Sequence, residues 1–358
     1  MKLFNTFKKG NLTLKNRVVM APMTRSRSTA DHIPTEIMTT YYQQRSGAGL
    51  IITEGTSPSP NGSGYPRIPG IYNEAQIVEW KKITDAVHEN DSKIFIQLMH
   101  TGRVSHPANM DGAASILSAS AIAPSTTKMY VDGEGEMEIP TPKEMTEVEI
   151  ESTIEEYVTA AKNAIKAGFD GVEIHGANGY LIDQFINTGS NHRSDKWGGS
   201  VENRCRFALE ITRRTIEAIG SDKVGIRFSP NGAMNDVGPF DEQTETFNYL
   251  AKEMDDLGIL YVHLVNHGPM GAPALPIEIR DYFRAHFSGI LILSGGYDKE
   301  SAEADINSYL GDLVAFGRPF IANPDLVERM KNDQKLSDPN FDTFYTPGAE
   351  GYIDYPIA

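Results

Sequence analysis

Short apolar runs rich in β-branched residues alternate along the chain with longer segments in which apolar residues recur every three or four positions. Such runs are typical of parallel strands that are covered on both faces. We therefore predict eight strands, at Arg17–Met20, Leu50–Thr53, Lys93–Leu98, Gly171–His175, Val224–Phe228, Leu260–Val265, Ile290–Ser294 and Leu313–Phe316.

The amphipathic segments between these runs predict helices. The clearest opens with a capping-box pattern at Thr146 and Glu149, and its apolar residues from Ile150 to Ile165 fall on one face. Further helices are predicted at Ser200–Ile219, Asp241–Leu257 and Asp298–Tyr309.

Strands alternating with helices fit either a closed barrel or an open doubly wound sheet. The sequence contains neither G-x-G-x-x-G after a strand nor a P-loop motif, which disfavours the open sheet. Polar residues follow many strands, and in a barrel those strand ends share one mouth. We predict an α/β fold, a TIM (β/α)8 barrel with an N-terminal hairpin, as a single domain over 1–358. The residues from about 100 to 145 form a capping insertion after strand three, in which 136–140 belong to a hairpin.

Composition and charge limit the classes of partner that the protein can bind. The net charge of −15 disfavours binding to nucleic acid or an anionic membrane. Cys205 is the only cysteine, so no internal disulfide forms, and we interpret it as a buried structural thiol. His263 and His267 have no evident third ligand, so we expect a structural role for both histidines and no metal site.

The chain has neither a signal-like start nor a long apolar stretch, which predicts a cytoplasmic protein. Monomer and homodimer both stay open.

The fourth predicted strand ends in His175, Asn178 and Tyr180. An imidazole and an amide donor three residues apart can converge on one oxygen and stabilise negative charge on it. A phenol ionises near pH 10, so Tyr180 can donate a proton at neutral pH. Alternatively, these residues cap a βα turn and Tyr180 packs beneath it.

Two further groups of residues lie at strand ends. Strand seven ends at Ser294 and is followed by Gly295 and Gly296, and strand eight ends at Phe316 and is followed by Gly317 and Arg318. Barrels commonly bind phosphate after these two strands, through exposed backbone N–H groups and a cation. Residues near strands one, three and five suit the edge of a flavin ring, because Gln pairs in both directions and Arg stabilises a reduced ring: Pro22, Met23, Thr24, Gln97 and Arg227. The alternatives are tight turns for the glycines and structural contacts for Gln97 and Arg227.

Five segments together resemble the Old Yellow Enzyme family, in order and over nearly the whole chain from Leu3 to Asp354. They are MAPMTR (20–25), QLMHTGR (97–103), HGANGYLIDQF (175–185), NHRSD (191–195) and AFGRPF (315–320). Thr24 and the region of Tyr65 place the resemblance in the classical branch.

The resemblance implies an FMN-dependent ene-reductase that takes hydride from NAD(P)H, with NADPH favoured. Non-covalent FMN would contact Pro22, Met23, Thr24, Gly55, Gln97 and Arg227 through its ring, and Gly295, Gly296, Gly317 and Arg318 through its phosphate. His175, Ser294 and Phe316 would also contact the cofactor. His175 and Asn178 would bind the oxygen of an activated alkene or of a phenol-type ligand, and Tyr180 would protonate the alkene. Tyr65, Met99 and Tyr345 would form the substrate pocket.

One residue departs from the pattern of the family. Met99 stands where many relatives carry Trp, which predicts an altered substrate range or stereochemical outcome.

The alternative functions are a phosphate-binding aldolase or isomerase, which would need a Lys or a Glu/His pair at strand ends, and a non-catalytic flavin-binding protein. The aromatic segment from Leu336 to Ala358 is predicted to pack on the body of the protein.

Overall fold

The computed structural model describes residues 1–357, so Ala358, the last residue of the predicted domain and of the C-terminal segment, lies outside the described residues. Its strands in chain order are β1 (Phe7–Lys9), β2 (Leu12–Leu14), β3 (Val18–Met20), β4 (Leu50–Thr56), β5 (Lys93–Leu98), β6 (Leu117–Ser118), β7 (Lys128–Val131), β8 (Gly135–Glu138), β9 (Lys143–Glu144), β10 (Gly171–Gly176), β11 (Val224–Phe228), β12 (Tyr261–Val265), β13 (Ile290–Ser294) and β14 (Leu313–Phe316).

Eight of these strands close a parallel barrel, in the order β3-β4-β5-β10-β11-β12-β13-β14 and back to β3. All eight predicted strands are present, which confirms the (β/α)8 barrel. The main difference is β4, which continues to Thr56 and shifts register against β5 between Ile52 and Gly55. This irregularity carries Gly55 to the mouth of the barrel beside Gln97.

The helices are α1 (Glu36–Gln44), α2 (Glu74–His88), α3 (Glu147–Lys166), α4 (Leu181–Ile186), α5 (Val201–Ile219), α6 (Gln243–Asp256), α7 (Ile277–His286), α8 (Lys299–Asn307), α9 (Arg318–Ala322) and α10 (Leu326–Lys331). The predicted capping box opens α3: Thr146 Oγ1 accepts from the Glu149 N–H at 3.3 Å, and Glu149 Oε2 accepts from the Thr146 N–H at 2.8 Å. The other three predicted helices are confirmed, and Ser200 and Asp298 cap α5 and α8.

Alternating residues along the barrel strands divide the core into two layers. Val18 and Met20 of β3 face the surrounding helices, whereas Val19 faces the barrel interior. The interior layer also contains Phe7, Leu12 and Leu14 of the β1–β2 hairpin. The predicted N-terminal hairpin is therefore confirmed, and its apolar side chains pack with the interior of the barrel.

The predicted capping insertion contains two small sheets, in which β6 pairs with β9 and β7 forms an antiparallel hairpin with β8. The expected hairpin near residue 136 is therefore confirmed. Its apolar residues Val104, Met129 and Ile139 form a small cluster against Tyr65 and Tyr180. The insertion is thus packed over the mouth of the barrel.

Buried arginines hold the C-terminal segment against the body. Arg25 Nη2 donates to the Gly351 carbonyl at 2.8 Å, and Arg27 Nη1 donates to the Phe344 carbonyl at 2.7 Å. The fully buried ring of Tyr352 stacks on Tyr41 with centroids 4.1 Å apart. Phe344 and Tyr352 of this aromatic segment therefore pack on the body as predicted, whereas Phe341 and Tyr345 are largely exposed.

Cys205 lies fully buried in α5, and burial raises the pKa of its thiol to about 12. This agrees with a structural thiol, because the reactive form of cysteine is the thiolate. Among residues 1–357, no helix combines the length and the apolar character needed to cross a bilayer.

Buried His100 predicts a defined pH dependence of stability. Its Nδ1 accepts from the Gly102 N–H at 3.1 Å, and burial lowers its pKa from 6.5 to about 3. Below pH 6.5 the unfolded chain binds a proton that the folded chain does not, so stability falls as the pH falls. The control variant His100→Asn keeps a hydrogen-bond acceptor but has no titrating ring. Between pH 7 and pH 5, we expect the free energy of unfolding of wild type, measured in urea, to fall by about 2 kcal/mol more than that of His100→Asn.

His106→Asn is the matched control, because the half-buried His106 ring accepts from the Ala108 N–H in the same manner. We expect it to keep the wild-type dependence on pH. Parallel stability curves for wild type and His100→Asn would contradict the prediction.

Candidate active site

A cavity of about 640 Å³ opens at the C-terminal mouth of the barrel, beneath the β7–β8 hairpin. Ten of the predicted site residues line it: Pro22, Thr24, Tyr65, Gln97, Met99, His175, Asn178, Tyr180, Arg227 and Tyr345. They come from the first five barrel strands or the loops that follow, and from the C-terminal segment. The closed barrel therefore brings distant parts of the sequence to one site.

A buried polar network runs between barrel strands at the base of this site. Gln97 Nε2 donates to Glu173 Oε1 at 2.8 Å, and Glu173 Oε2 lies 2.9 Å from His263 Nδ1. His263 Nε2 lies 2.9 Å from Ser294 Oγ. The network orients Gln97 and gives His263 a structural role. Sequence reasoning missed Glu173, although it precedes His175 by two residues and so points to the same face of β10.

Arg227 is positioned beside His175 by the register of β10 and β11. Only 7% of the residue is exposed, and its Nε has no hydrogen-bond partner within the described residues. Such a group normally has a partner, because an unpaired buried donor is costly. Arg227 is therefore a fixed cation with a free donor in the wall of the cavity.

His175 and Asn178 present unpaired groups to the cavity. His175 Nδ1 lies 3.3 Å from the Ala177 N–H, which places the ring proton on Nε2. Burial, assisted by Arg227, lowers the pKa of His175 well below 6.5, so the ring is a neutral donor. Asn178 has a left-handed backbone (φ 61°), and its side-chain amide has no hydrogen-bond partner among residues 1–357, so its Nδ2–H is available as a donor. An imidazole and an amide are thus available to bind one polar group.

Tyr180 lies next to this pair. Its ring contacts His175 with centroids 5.0 Å apart, and its hydroxyl donates to Tyr65 Oη at 3.2 Å. Burial raises the pKa of the Tyr180 phenol above 10, so the phenol carries its proton at neutral pH. The site therefore places a proton donor beside two groups that can bind an oxygen.

Residues after β13 and β14 form a cradle apart from the lining of this cavity. Gly295 has φ +115°, and a Cβ there would lie 2.0 Å from the Asn266 carbonyl oxygen. Gly296 also has a positive φ, whereas Gly317 caps the short helix α9. Arg318 is exposed and forms no ion pair within residues 1–357. Glycine turns with positive φ, together with a cation that forms no ion pair within residues 1–357, suit a phosphate group.

The remaining predicted residues adjoin these groups. Met23 is half-buried and lies near Gly317, with its sulfur 3.5 Å from where a Cβ at Gly317 would stand. Gly55 lies behind Met99, because a Cβ there would stand 2.4 Å from the Met99 sulfur. Ser294 and Phe316 are the last residues of β13 and β14. All predicted site residues therefore surround the same end of the barrel.

The structure adds a rim that the sequence did not reveal. Arg67 forms an ion pair with Asp132 of the hairpin turn, and its Nη2 donates to the Tyr345 carbonyl at 2.8 Å. Asn235, in the loop after β11, also lines the cavity. No motif marks these residues, because their contacts depend on how loops meet above the barrel.

The available groups fit FMN. The unpaired Arg227 Nε and the oriented Gln97 suit a ring that both donates and accepts hydrogen bonds. The glycine cradle and the unpaired Arg318 suit its phosphate. One end of the barrel thus offers separate sites for the two ends of the cofactor.

Comparisons with known proteins agree with this geometry. Residues 2–337 match the model of the NADH:flavin oxidoreductase / NADH oxidase family. The chain is 43% identical to a chanoclavine-I aldehyde reductase of Penicillium roqueforti, covering 100% of this chain and 96% of the relative. It is 40% identical to a probable flavin mononucleotide-dependent alkene reductase of Leishmania infantum, covering 97% and 95%.

Among solved structures, morphinone reductase in complex with tetrahydroNAD superposes with a TM-score of 0.94 at 41% identity. The match covers 100% of this chain and 98% of that one. Both the sequence match and the shared barrel extend over essentially the full length. The chain therefore belongs to the NADH:flavin oxidoreductase / NADH oxidase family, whose members include the enzymes similar to Old Yellow Enzyme.

Proposed function

We propose that this protein is an FMN-dependent ene-reductase that transfers hydride from a nicotinamide donor to an electron-poor C=C bond. One observation carries the proposal: a protonated phenol, Tyr180, lies against the neutral His175 and near the unpaired Asn178 amide in a single cavity. Suitable substrates are enones, maleimides and nitroalkenes, which carry a polar oxygen beside a reducible bond. Phenol-type ligands offer the same oxygen.

Bound FMN would supply hydride transfer between the nicotinamide and one alkene carbon. His175 Nε2–H and the Asn178 amide bind the substrate oxygen and stabilise the charge that develops there. Tyr180 then donates its hydroxyl proton to the other alkene carbon. Pro22, Met23, Thr24, Gly55, Gln97 and Arg227 would hold the ring of the cofactor, and Gly295, Gly296, Gly317 and Arg318 would hold its phosphate.

The rival barrel chemistry has less support, because the Glu173–His263 pair is fully buried and neither residue lines the cavity. An aldolase would place a lysine at a strand end inside the cavity. The one lysine among the residues lining the cavity is Lys128, which lies on the hairpin rather than on a barrel strand. A non-catalytic flavin-binding protein has no evident use for the Tyr180 phenol beside His175.

A visible spectrum of the purified protein, recorded anaerobically, tests the proposal in one cuvette. We expect a flavin band that bleaches with NADH or NADPH and returns when 2-cyclohexenone is added. A band that stays bleached would reject the alkene acceptor. A protein that stays colourless after refolding with FMN would reject the cofactor and revive the aldolase or isomerase.

The preferred nicotinamide donor, the oligomeric state and the cellular location of the protein are further predictions. We expect NADPH to be the better donor, and parallel reductions with NADH and NADPH measure the preference. The whole chain acts as one FMN-binding domain, either as a monomer or as a homodimer, which sedimentation distinguishes. A cytoplasmic location is tested by cell fractionation.

Met99 is expected to control the shape of the substrate pocket. It is buried and packs on Gly55, so an indole at this position has to extend into the cavity. We expect Met99→Trp to change the enantiomeric ratio of the product from a substituted cyclohexenone. We also expect kcat/KM for bulky enones to fall about tenfold, the scale typical of small changes in pocket shape. Chiral chromatography of the products measures the first effect.

Met99→Leu is the control, since it changes the volume little, and it should keep the wild-type ratio. Identical enantiomeric ratios for Met99→Trp and wild type would remove Met99 from the determinants of stereochemistry.

A further inference from the structure

Tyr180 follows a tight turn at Gly179, and the direction of its side chain depends on that turn. Gly179 has a left-handed backbone with φ +75°, and a Cβ there would stand 2.6 Å from the Met234 carbonyl oxygen. No residue with a side chain fits this position without displacing the backbone of another loop. Because glycine has no side chain to pack, hydrogen bonds to its peptide groups have to fix the orientation of the turn.

Gln184 of α4 holds the two peptide groups that flank Tyr180. Its side-chain Nε2 donates to the Gly179 carbonyl at 2.7 Å, and its main-chain N–H donates to the Tyr180 carbonyl at 2.8 Å. Asp183 Oδ2 holds the preceding peptide, because it accepts from the Gly179 N–H at 2.9 Å. The peptides on either side of Tyr180 set its Cα–Cβ bond, so Gln184 fixes the direction in which the phenol leaves the backbone.

The fully buried side chain of Gln184 uses its whole hydrogen-bonding capacity. Besides its bond to Gly179, Nε2 donates to the Thr101 carbonyl at 3.1 Å. Oε1 accepts from the Arg103 N–H and from the Ser118 hydroxyl, both at 3.0 Å. Two N–H groups thus meet two acceptors, and two lone pairs meet two donors, which leaves the amide one orientation.

The three other partners of the Gln184 amide belong to the capping insertion. Thr101 and Arg103 lie near its start, and Ser118 is the last residue of β6. Gly102 provides the space, because a Cβ there would stand 2.2 Å from Gln184 Oε1. One side chain therefore joins the turn before the phenol to the insertion that covers the cavity.

We propose that Gln184 is a positioning residue, which directs the Tyr180 phenol into the cavity by holding the Gly179 carbonyl against the capping insertion. This rests on the proposed function, in which Tyr180 donates the proton. Transfer of a proton to carbon depends on distance and direction, so a small rotation of the Gly179–Tyr180 peptide moves the phenol away from the alkene. Reduction of the flavin needs no proton from Tyr180, so the effect of Gln184 falls on the alkene step.

Two substitutions separate the hydrogen bonds of Gln184 from its packing. Gln184→Met keeps the length of the side chain and removes all four bonds of the amide, whereas Gln184→Glu keeps the accepted bonds and removes the donated ones. Gln76→Met and Gln76→Glu are the matched controls. Gln76 is also fully buried, but its Oε1 accepts from the Asn73 N–H at 3.2 Å and so holds the start of α2.

Anaerobic stopped-flow measurement of the two half-reactions tests the proposal. We expect the alkene step with 2-cyclohexenone to slow about tenfold in both Gln184 variants, the scale of one hydrogen bond. Flavin reduction by saturating NADPH should stay within about twofold of wild type, as should both steps in the Gln76 variants. A wild-type alkene step in the Gln184 variants, or equal loss of both half-reactions, would overturn the proposal.

A double variant tests whether Gln184 acts through Tyr180. Adding Gln184→Met to Tyr180→Phe should slow the alkene step little further, because the direction of the ring no longer matters once its hydroxyl is gone. A further tenfold loss would show that Gln184 acts by another route, against the proposal.

Ser118→Ala is a smaller change that decides the question if the Gln184 variants do not fold. It removes one of the two bonds to Gln184 Oε1 and leaves the other three bonds of the amide. We expect an alkene step about threefold slower and an unchanged flavin reduction. An alkene step at the wild-type rate would then count against the positioning role.

A readout without turnover distinguishes failure of this proposal from failure of the proposed function. With 3-fluorotyrosine at position 180, the 19F resonance reports the surroundings of that ring in the resting holoenzyme. We expect the resonance to shift or broaden in both Gln184 variants and to keep its wild-type position in the Gln76 variants. If Tyr180→Phe leaves the alkene step intact, the proton-donor role fails, while this resonance still decides whether Gln184 positions the ring. An unchanged resonance in the Gln184 variants overturns the positioning role.

Discussion

Replacing Tyr180 with Phe is expected to slow reduction of 2-cyclohexenone by about 10²–10⁴-fold, the range typical of losing a general acid. Reduction of the flavin by the nicotinamide donor should stay within about threefold of wild type. The difference arises because protonation of the alkene carbon needs the phenol, whereas hydride transfer to the flavin needs no proton from it. Anaerobic stopped-flow measurement of each half-reaction tests both rates.

The contacts of Tyr180 indicate that the substitution with Phe removes the hydroxyl without disturbing the packing of the ring. The Tyr180 hydroxyl donates to Tyr65, and the ring packs edge-on to His175, so Phe keeps the ring contact and loses only the hydroxyl. Tyr282→Phe on α7 is the control, because that ring stacks on His286 away from the cavity lining. Equal loss of both half-reactions in Tyr180→Phe would refute the proton-donor role.

Replacing Gly295 with Ala is expected to weaken FMN binding about 100-fold, equivalent to roughly 2.7 kcal/mol. The added Cβ would lie 2.0 Å from the Asn266 carbonyl oxygen and 2.9 Å from its carbonyl carbon, and backbone atoms cannot move aside as a flexible side chain would. The turn after β13 has to shift, which moves the N–H groups proposed to bind the phosphate. Titration of the apoprotein with FMN, followed by flavin fluorescence, measures the dissociation constant.

Gly258→Ala isolates the effect of backbone strain. Gly258 also has a positive φ, +64°, but a Cβ there meets no atom within 4 Å. It precedes β12, at the end of the barrel opposite the cavity. This variant should lose about 1–2 kcal/mol of unfolding free energy and bind FMN as wild type does. Wild-type FMN affinity in Gly295→Ala would place the phosphate elsewhere.

Local patterns were sufficient to predict much of this protein. Burial on both faces makes each barrel strand a continuous apolar run, so all eight strands could be located from the sequence. The capping box at Thr146 and Glu149 is equally local, since it involves residues three apart. Helices α1, α2, α4, α7, α9 and α10 were not predicted individually.

The candidate site was predictable where its residues follow strands. Because parallel strands end at one mouth, His175, Gln97 and Arg227 had to lie near each other once the barrel closed. Glu173 was missed, although its period-two relation to His175 offered a signal. Its contact with Gln97 joins the neighbouring strands β5 and β10, whereas its contact with His263 on β12 spans the intervening strand β11 and depends on the curvature of the barrel.

By itself, then, the sequence determined the order of strands and helices, the class of barrel and the strand-end chemistry, because each depends on residues close together in the chain. Only the tertiary structure decided how Asn235 reaches the Asn178 carbonyl, and how Arg67 ties the hairpin to the C-terminal segment. Those contacts join loops from different barrel strands. Their geometry follows from strand register and loop packing, which no local pattern encodes.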